Sequence, residues 1–343
     1  MTRARALLTA SILSVATLGA TPGCLVNRFE NLGVSDRPAR AELARATIVF
    51  TKDNELYLAR GDGGGAVRLL SRAEIGVAGA VFMPMIDGAG RRVLFLSVID
   101  LEIRESTGRD LSLNILTLDR PAAPGGRVAS WRKVRLEKIA PPGVDGRQEI
   151  FAVAGAAWSH DGDRIALGLN RAREAGGDAV ALFDSEGSAT TVCGLAGRDL
   201  ARVSAISWTN DDRALILGLE GEGEPAGRVA RLDLPTTGQR AAAPVDLAPG
   251  RYPALSPDGS RIAVVAERSG QSDIVLLDLD GNETARYERP AGRAPSRPFW
   301  SAGGRYLYYY SLGATGPLGL IDIIILRCMD TRTQRVFDLI RLG

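Results

Sequence analysis

One turn recurs along this chain, and its spacing decides most of what the chain can fold into. The cleanest copy is Leu255-Ser256-Pro257-Asp258-Gly259-Ser260-Arg261-Ile262. Pro257 presets φ for a turn, Asp258 bonds its own downstream backbone, and Gly259 takes a positive φ, so the apolar runs on either side must fold back on each other. Trp158-Ser159-His160-Asp161-Gly162, Trp208-Thr209-Asn210-Asp211-Asp212 and Trp300-Ser301-Ala302-Gly303-Gly304 share that register; counted through Leu255, the spacings are 50, 47 and 45 residues. A weaker copy begins at Ile86 with Asp87-Gly88-Ala89-Gly90. Each is followed by an apolar strand that ends in an aspartate: Asp119, Asp184, Asp233, Asp278 and Asp330.

A period in the forties with four short strands per unit predicts a β-propeller, in which sheets too small to survive alone bury their faces against their neighbours. Residues 46–341 divide into six such units, so the expected fold is all-β: one six-bladed β-propeller of four-stranded antiparallel blades. Ser256-Pro257-Asp258-Gly259, with Ile262-Ala263 and Leu277-Asp278, resembles the WD40-like repeat of the TolB-type six-bladed propellers. The resemblance implies the fold but little about function, because propellers carry many unrelated activities. TolB-like proteins also have an α/β domain before the propeller. The stretch before residue 46 does not accommodate one, so a place in the Tol system itself is not implied.

Residues 1–23 read as a signal segment. Arg3 and Arg5 precede an apolar run from Ala6 to Leu18, too short for an ordinary transmembrane helix. Thr21-Pro22-Gly23-Cys24 resembles the processing site of bacterial lipoproteins, in which the cysteine becomes the lipidated first residue. Cys24 is therefore the expected lipid anchor, residues 24–45 the tether, and the periplasmic side of a membrane, the outer one by expectation, the location. A short helix near Ala41 is expected within the tether. Without residues 1–23 the 42 basic residues fall to 40 and match the 40 acidic ones. That balance supports neither a nucleic-acid footprint nor a bulk attraction to anionic lipid.

Two irregularities stand out against the repeat. The first unit, Thr47 to Leu70, lacks an obvious innermost strand, which either the tether supplies or the ring does without. The second unit is interrupted by Asp100 to Asp110, and insertions of that length in a compact repeat are functional or disordered. The connections after each second strand are charged: Glu102, Arg104, Glu105 and Arg109; Arg171, Arg173 and Glu174; Glu220 and Glu222; Glu267 and Arg268. In a propeller these connections share one face, opposite the Asp-Gly turns. Mixed arginine forks and carboxylates there suit another envelope protein or a peptide.

Catalytic signatures are sparse. His160, the single histidine, replaces the proline of a repeat turn, and no Gly-x-Ser-x-Gly elbow occurs, which argues against a serine hydrolase. Asp278 to Glu283 lacks the spacing of a twelve-residue calcium loop and reads as a hairpin turn. Trp158, Trp208 and Trp300 are expected to pack between sheets, since equivalent placement in successive blades fits a structural role. Cys193 and Cys328 fall on blades across the ring, too far apart for a disulfide. The expectation is a non-catalytic binding protein with no cofactor and no metal. The alternatives are a hydrolase or lyase acting on a sugar or lactone in the channel, and a structural subunit of a larger complex.

Overall fold

Wherever the repeated turn occurs, it joins the innermost two strands of an antiparallel sheet. A computed structural model describes residues 30–31, 34, 36–76, 80–103, 106–121, 126–136, 150–171, 179–195, 202–221, 226–235, 243–288, 293–315 and 321–342. In it the chain is a six-bladed β-propeller. Blade five shows the plan: β17 (Arg251–Leu255), β18 (Ile262–Arg268), β19 (Gln271–Leu277) and β20 (Glu283–Tyr287) pair in chain order from the axis outward. Blade two is β5 (Val81–Ile86), β6 (Arg92–Ile103), β7 (Ser106–Leu118) and β8 (Val128–Arg135); blade three is β9 (Ile150–Trp158), β10 (Arg164–Arg171), β11 (Ala179–Asp184) and β12 (Ala189–Gly194). Blade four is β13 (Arg202–Trp208), β14 (Ala214–Glu220), β15 (Arg228–Asp233) and β16 (Val245–Pro249).

The two blades at the closure depart from four strands. Blade one has three, β2 (Thr47–Lys52), β3 (Glu55–Arg60) and β4 (Val67–Leu70), and β2 meets β5 of blade two as second strands elsewhere meet the next inner strand. The missing member is thus the inner one. Blade six carries β21 (Arg293–Trp300), β22 (Tyr306–Thr315), β23 (Ile321–Asp330) and β24 (Val336–Arg341), plus a fifth strand, β1 (Glu30–Asn31), on its outer edge. The segment before the propeller therefore adds to the rim of the last blade and not to the axis of the first.

Residues 37–43 of the expected tether are a helix docked on the ring. Helix α1 (Arg37–Leu43) starts where Asp36 accepts the Ala39 N–H and Pro38 occupies the first turn, where no N–H is needed. Leu43 and Ala39 pack with Ile48 and Phe50 of blade one and with Tyr306, Tyr308 and Leu339 of blade six. Polar contacts fix the same seam: Tyr308 Oη donates to the Gly61 carbonyl at 3.2 Å, Arg305 pairs with Glu42 at 2.8 Å, and Arg335 pairs with Asp36.

The core lies between blades, as the repeat requires. Six apolar clusters each join two consecutive blades around the ring, for example Leu94 and Leu96 of blade two with Leu167 and Phe183 of blade three. Burying one such side chain stabilises by about 1.5–3 kcal/mol. A blade deprived of its neighbours has almost no core of its own. No helix among the described residues is long and apolar enough to cross a membrane.

Candidate functional site

The face opposite the Asp-Gly turns takes its shape from two hairpins. In blade five the second and third strands pair only to Arg268 and Gln271, after which Ser269 and Gly270, both at positive φ, make a two-residue turn. In blade two, β6 and β7 pair four residues further, through Asp100↔Arg109 and Glu102↔Thr107 to Ile103↔Ser106. At about 3.3 Å per residue the hairpin stands roughly 13 Å above its counterpart. The expected insertion is therefore a prolonged ladder. Ile99, Leu101 and Ile103 alternating with Asp100 and Glu102 is the period-two signal for it. In blade six, β22 and β23 also run long, to Thr315↔Ile321. Between the two hairpins lies blade one, whose corresponding turn is the short Lys52-Asp53-Asn54-Glu55, with Asp53 and Asn54 at φ 53° and 60°.

The candidate partner residues distribute over this face as follows. Glu267 and Arg268 are exposed at the end of β18, and Glu220 is half-buried at the end of β14. Glu102, Arg109 and Arg171 are placed by their backbones on β6, β7 and β10. Cys24, Arg104, Glu105, Arg173, Glu174 and Glu222 lie outside the described residues. The ends of β6, β10, β14 and β18 therefore point to one face, as the repeat predicts. Glu220 differs from Glu267 and Arg268 in that its Oε1 is buried at the end of the second strand of blade four.

There it joins a polar group that sequence reasoning missed. Every inner strand of blades two to six has a bulge, because Met83-Pro84, Ala154, Ser204, Tyr252-Pro253 and Arg297-Pro298 drop out of register with the second strand. Proline has no N–H for the ladder and belongs at such a place. Met83, Tyr252 and Arg297 have φ of 51°, 54° and 48°, a left-handed conformation that costs a side-chain-bearing residue on the order of 1–3 kcal/mol. The visible signal was the X-Pro pair at Tyr252-Pro253 and Arg297-Pro298, 45 residues apart.

Two of these bulges bring their side chains together. The Arg297 guanidinium lies 5.2 Å from the centre of the Tyr252 ring, and both feel the charge of Glu220. Burial pushes the Tyr252 hydroxyl pKa up, with the Glu220 charge adding to it, and burial pushes the Tyr310 hydroxyl up to about 12. Desolvation lowers the pKa of Arg297, against the nearby Tyr252, Tyr310 and Glu220. Yet Arg297 keeps solvent-accessible surface. Arg297 thus sits half-buried on the innermost strand of blade six, beside Tyr252 of blade five.

The other residues singled out in the sequence are placed apart from this group. His160 is exposed, and its backbone N–H donates to Asp212 Oδ1 at 2.7 Å. Asp278 Oδ1 accepts the Asp280 and Asn282 N–H groups at 3.0 and 2.8 Å, closing the hairpin between β19 and β20. Trp158 and Trp208 are buried between blades, and Trp300 is half-buried there. Cys193 on β12 and Cys328 on β23 are buried free thiols in separate blades. Burial pushes both pKa values up, which keeps them unreactive.

No protein-family model and no curated protein matches the chain. Among solved structures it is similar to TolB from Acinetobacter baumannii, at 16% identity and TM-score 0.57 over 87% of this chain and 64% of that one. It is likewise similar to a putative TolB from Agrobacterium tumefaciens, at 15% identity and TM-score 0.50 over 81% and 86% of the two chains. A nidogen/laminin complex contains a third, at 13% identity and TM-score 0.51 over 85% and 92%. The chain thus spans less than two thirds of the Acinetobacter protein, and at these identities the likeness is one of fold.

Proposed function

We propose that this chain is a non-catalytic binding propeller of the bacterial cell envelope, tethered through a lipidated Cys24 on the periplasmic side of a membrane. Its partner is another envelope protein or a peptide. The observation that carries the reading is the raised β6–β7 hairpin, which with β22–β23 makes two walls around the low edge of blade one. A hairpin lengthened beyond the repeat offers a partner paired backbone on a segment whose sequence is rich in charge. The segment before Cys24 supports export, and the likeness to TolB structures supports an envelope setting. The similar chain in the nidogen/laminin complex is a precedent for this scaffold in protein assembly.

Affinity capture from detergent-solubilised envelopes tests the reading, comparing the wild-type chain with an Arg104, Arg109 and Arg173 to alanine variant. Recovery of an envelope protein by the first and its loss in the second is expected. If nothing is recovered by either, or the variant captures as well, this face is not the interface. Mass spectrometry of the mature N-terminus tests the anchor, expected as a diacylated or triacylated Cys24.

The polar group at the channel favours a second reading, a hydrolase or lyase acting on a sugar or lactone there. Elemental analysis of the purified protein with a glycan and lactone turnover screen separates the two, since only the second reading predicts turnover.

A further inference from the structure

We infer that the channel wall at Arg297, Glu220 and Tyr252 holds a ligand bearing a carboxylate with an N–H donor beside it: a free amino acid, or the last residue of a peptide chain. The inference stands independently of the partner face, because it rests on the inner strands alone.

Three observations carry it. First, Arg297 makes no hydrogen bond or ion pair among the described residues, although it is held over Tyr252 in a strained backbone conformation. The contact with the Tyr252 ring uses none of the guanidinium's hydrogen bonds, so its N–H donors remain available to a carboxylate, which an arginine can receive through two parallel bonds. Second, orphaned polar atoms concentrate here. Of the four buried side-chain atoms without a hydrogen-bond partner among the described residues, two are Ser204 Oγ and Glu220 Oε1. Such atoms are few in folded proteins and each calls for a reason. Third, Ser204 lies against the Tyr252 bulge, and Glu220 is two residues beyond Gly218 on β14. A β-carbon placed on Gly218 would stand 2.6 Å from Ser204 Oγ, 2.7 Å from Pro253 Cδ and 3.3 Å from the Tyr252 nitrogen. Only glycine lets blade four approach the blade-five bulge so closely.

The signs then specify the ligand. A simple anion would satisfy Arg297 but face the Glu220 carboxylate, whose field reaches both Arg297 and Tyr252. A ligand with a donor next to its carboxylate satisfies both charges and turns Glu220 from a repulsive neighbour into an acceptor. The α-carboxylate of an amino acid, with its ammonium or amide N–H one carbon away, has this pattern.

Calorimetric titration of the full chain with L-alanine, with N-acetyl-trialanine as free acid, and with the same peptide as C-terminal amide tests the inference. The free acid is expected to bind at least about tenfold more tightly than the amide. Binding of L-alanine as well assigns the site to free amino acids, and binding of the peptide acid alone assigns it to chain termini. Arg297→Met is expected to weaken binding by at least about tenfold, and Arg297→Lys to give an intermediate value, since lysine keeps the charge without the fork. Circular dichroism and the melting temperature establish that the variants fold. Equal binding of acid and amide, no binding of any probe at millimolar concentration, or wild-type binding by Arg297→Met would each overturn it. Should Arg297→Met not fold, the acid–amide comparison and Arg297→Lys still decide.

Discussion

Arg164 of blade three lies 4.7 Å from the centre of the Trp208 indole in blade four, and its Nη2 donates to the carbonyl of Asp212, also in blade four, at 2.8 Å. Arg92 does the same to Trp158 and Gly162, and Arg261 to Trp300 and Gly304. Where blade four has Ala214 in the arginine's position, blade five has Leu255 in place of tryptophan. Arginine and tryptophan are present together or absent together, although they belong to different repeats. The pair is a clamp between blades.

A double-mutant cycle measures that clamp. Arg164→Met is expected to cost about 1–2 kcal/mol, the sum of a cation–π contact and one hydrogen bond. Trp208→Ala is expected to cost about 3–5 kcal/mol. In urea unfolding the double variant should fall short of their sum by about 0.5–1.5 kcal/mol. Strict additivity would mean that the two side chains stabilise the interface independently.

Asp212 replaces the turn glycine of the other blades, and it keeps their conformation, with φ 54° against 76° at Gly162 and 72° at Gly259. Its carboxylate accepts the N–H groups of His160 and Asp161 in blade three at 2.7 and 3.0 Å. Asp212→Gly is therefore expected to destabilise by about 1–3 kcal/mol, because relief of strain does not offset two lost charge-assisted bonds. A more stable glycine variant would show that strain outweighs the contacts.

Leu43 tests the closure of the ring. It is 1% exposed, on α1 between blades six and one. Leu43→Ala should cost about 2–5 kcal/mol. In hydrogen exchange it should loosen β2 and β24 first. Loss confined to α1 would mean that the helix is an ornament on an already closed ring.

Acid stability is expected to reside partly in the repeated turns. Hydrogen bonds from Ser256 and from the Ser260 N–H and hydroxyl lower the Asp258 pKa to about 2 from its usual 3.8. A carboxylate with a depressed folded-state pKa adds stability that is fully present above 3.8 and lost as pH falls through about 2. The contribution is small at this exposed site. In Asp258→Asn the melting temperature should vary less with pH between about 4 and 2 than in the wild type. An unchanged slope would remove Asp258 from the account.

How much of this was legible in the sequence follows from which interactions are local. The turns at Trp158, Trp208, Leu255 and Trp300 could be read because Asp, Gly and Pro act on their own backbone within a few residues. Their period then specified the ring, and β18–β19 and the Asp278 hairpin followed. The docking of α1 could not be read, since Leu43 finds its partners some 260 residues away in Tyr306 and Tyr308. The Arg297–Tyr252–Glu220 group was hidden for a similar reason. Bulges move side chains off the alternation that sequence patterns assume, and Glu220 looks like any other charged strand end.

The central claim is that a partner docks on the hairpin face and not on the Asp-Gly face. Glu267 and Asp280 are exposed at opposite ends of blade five. A photo-reactive amino acid at each position, activated in intact cells, separates the faces. The account predicts a covalent adduct with another envelope protein from position 267 and none from position 280. An adduct from 280 alone, or from neither, would contradict it.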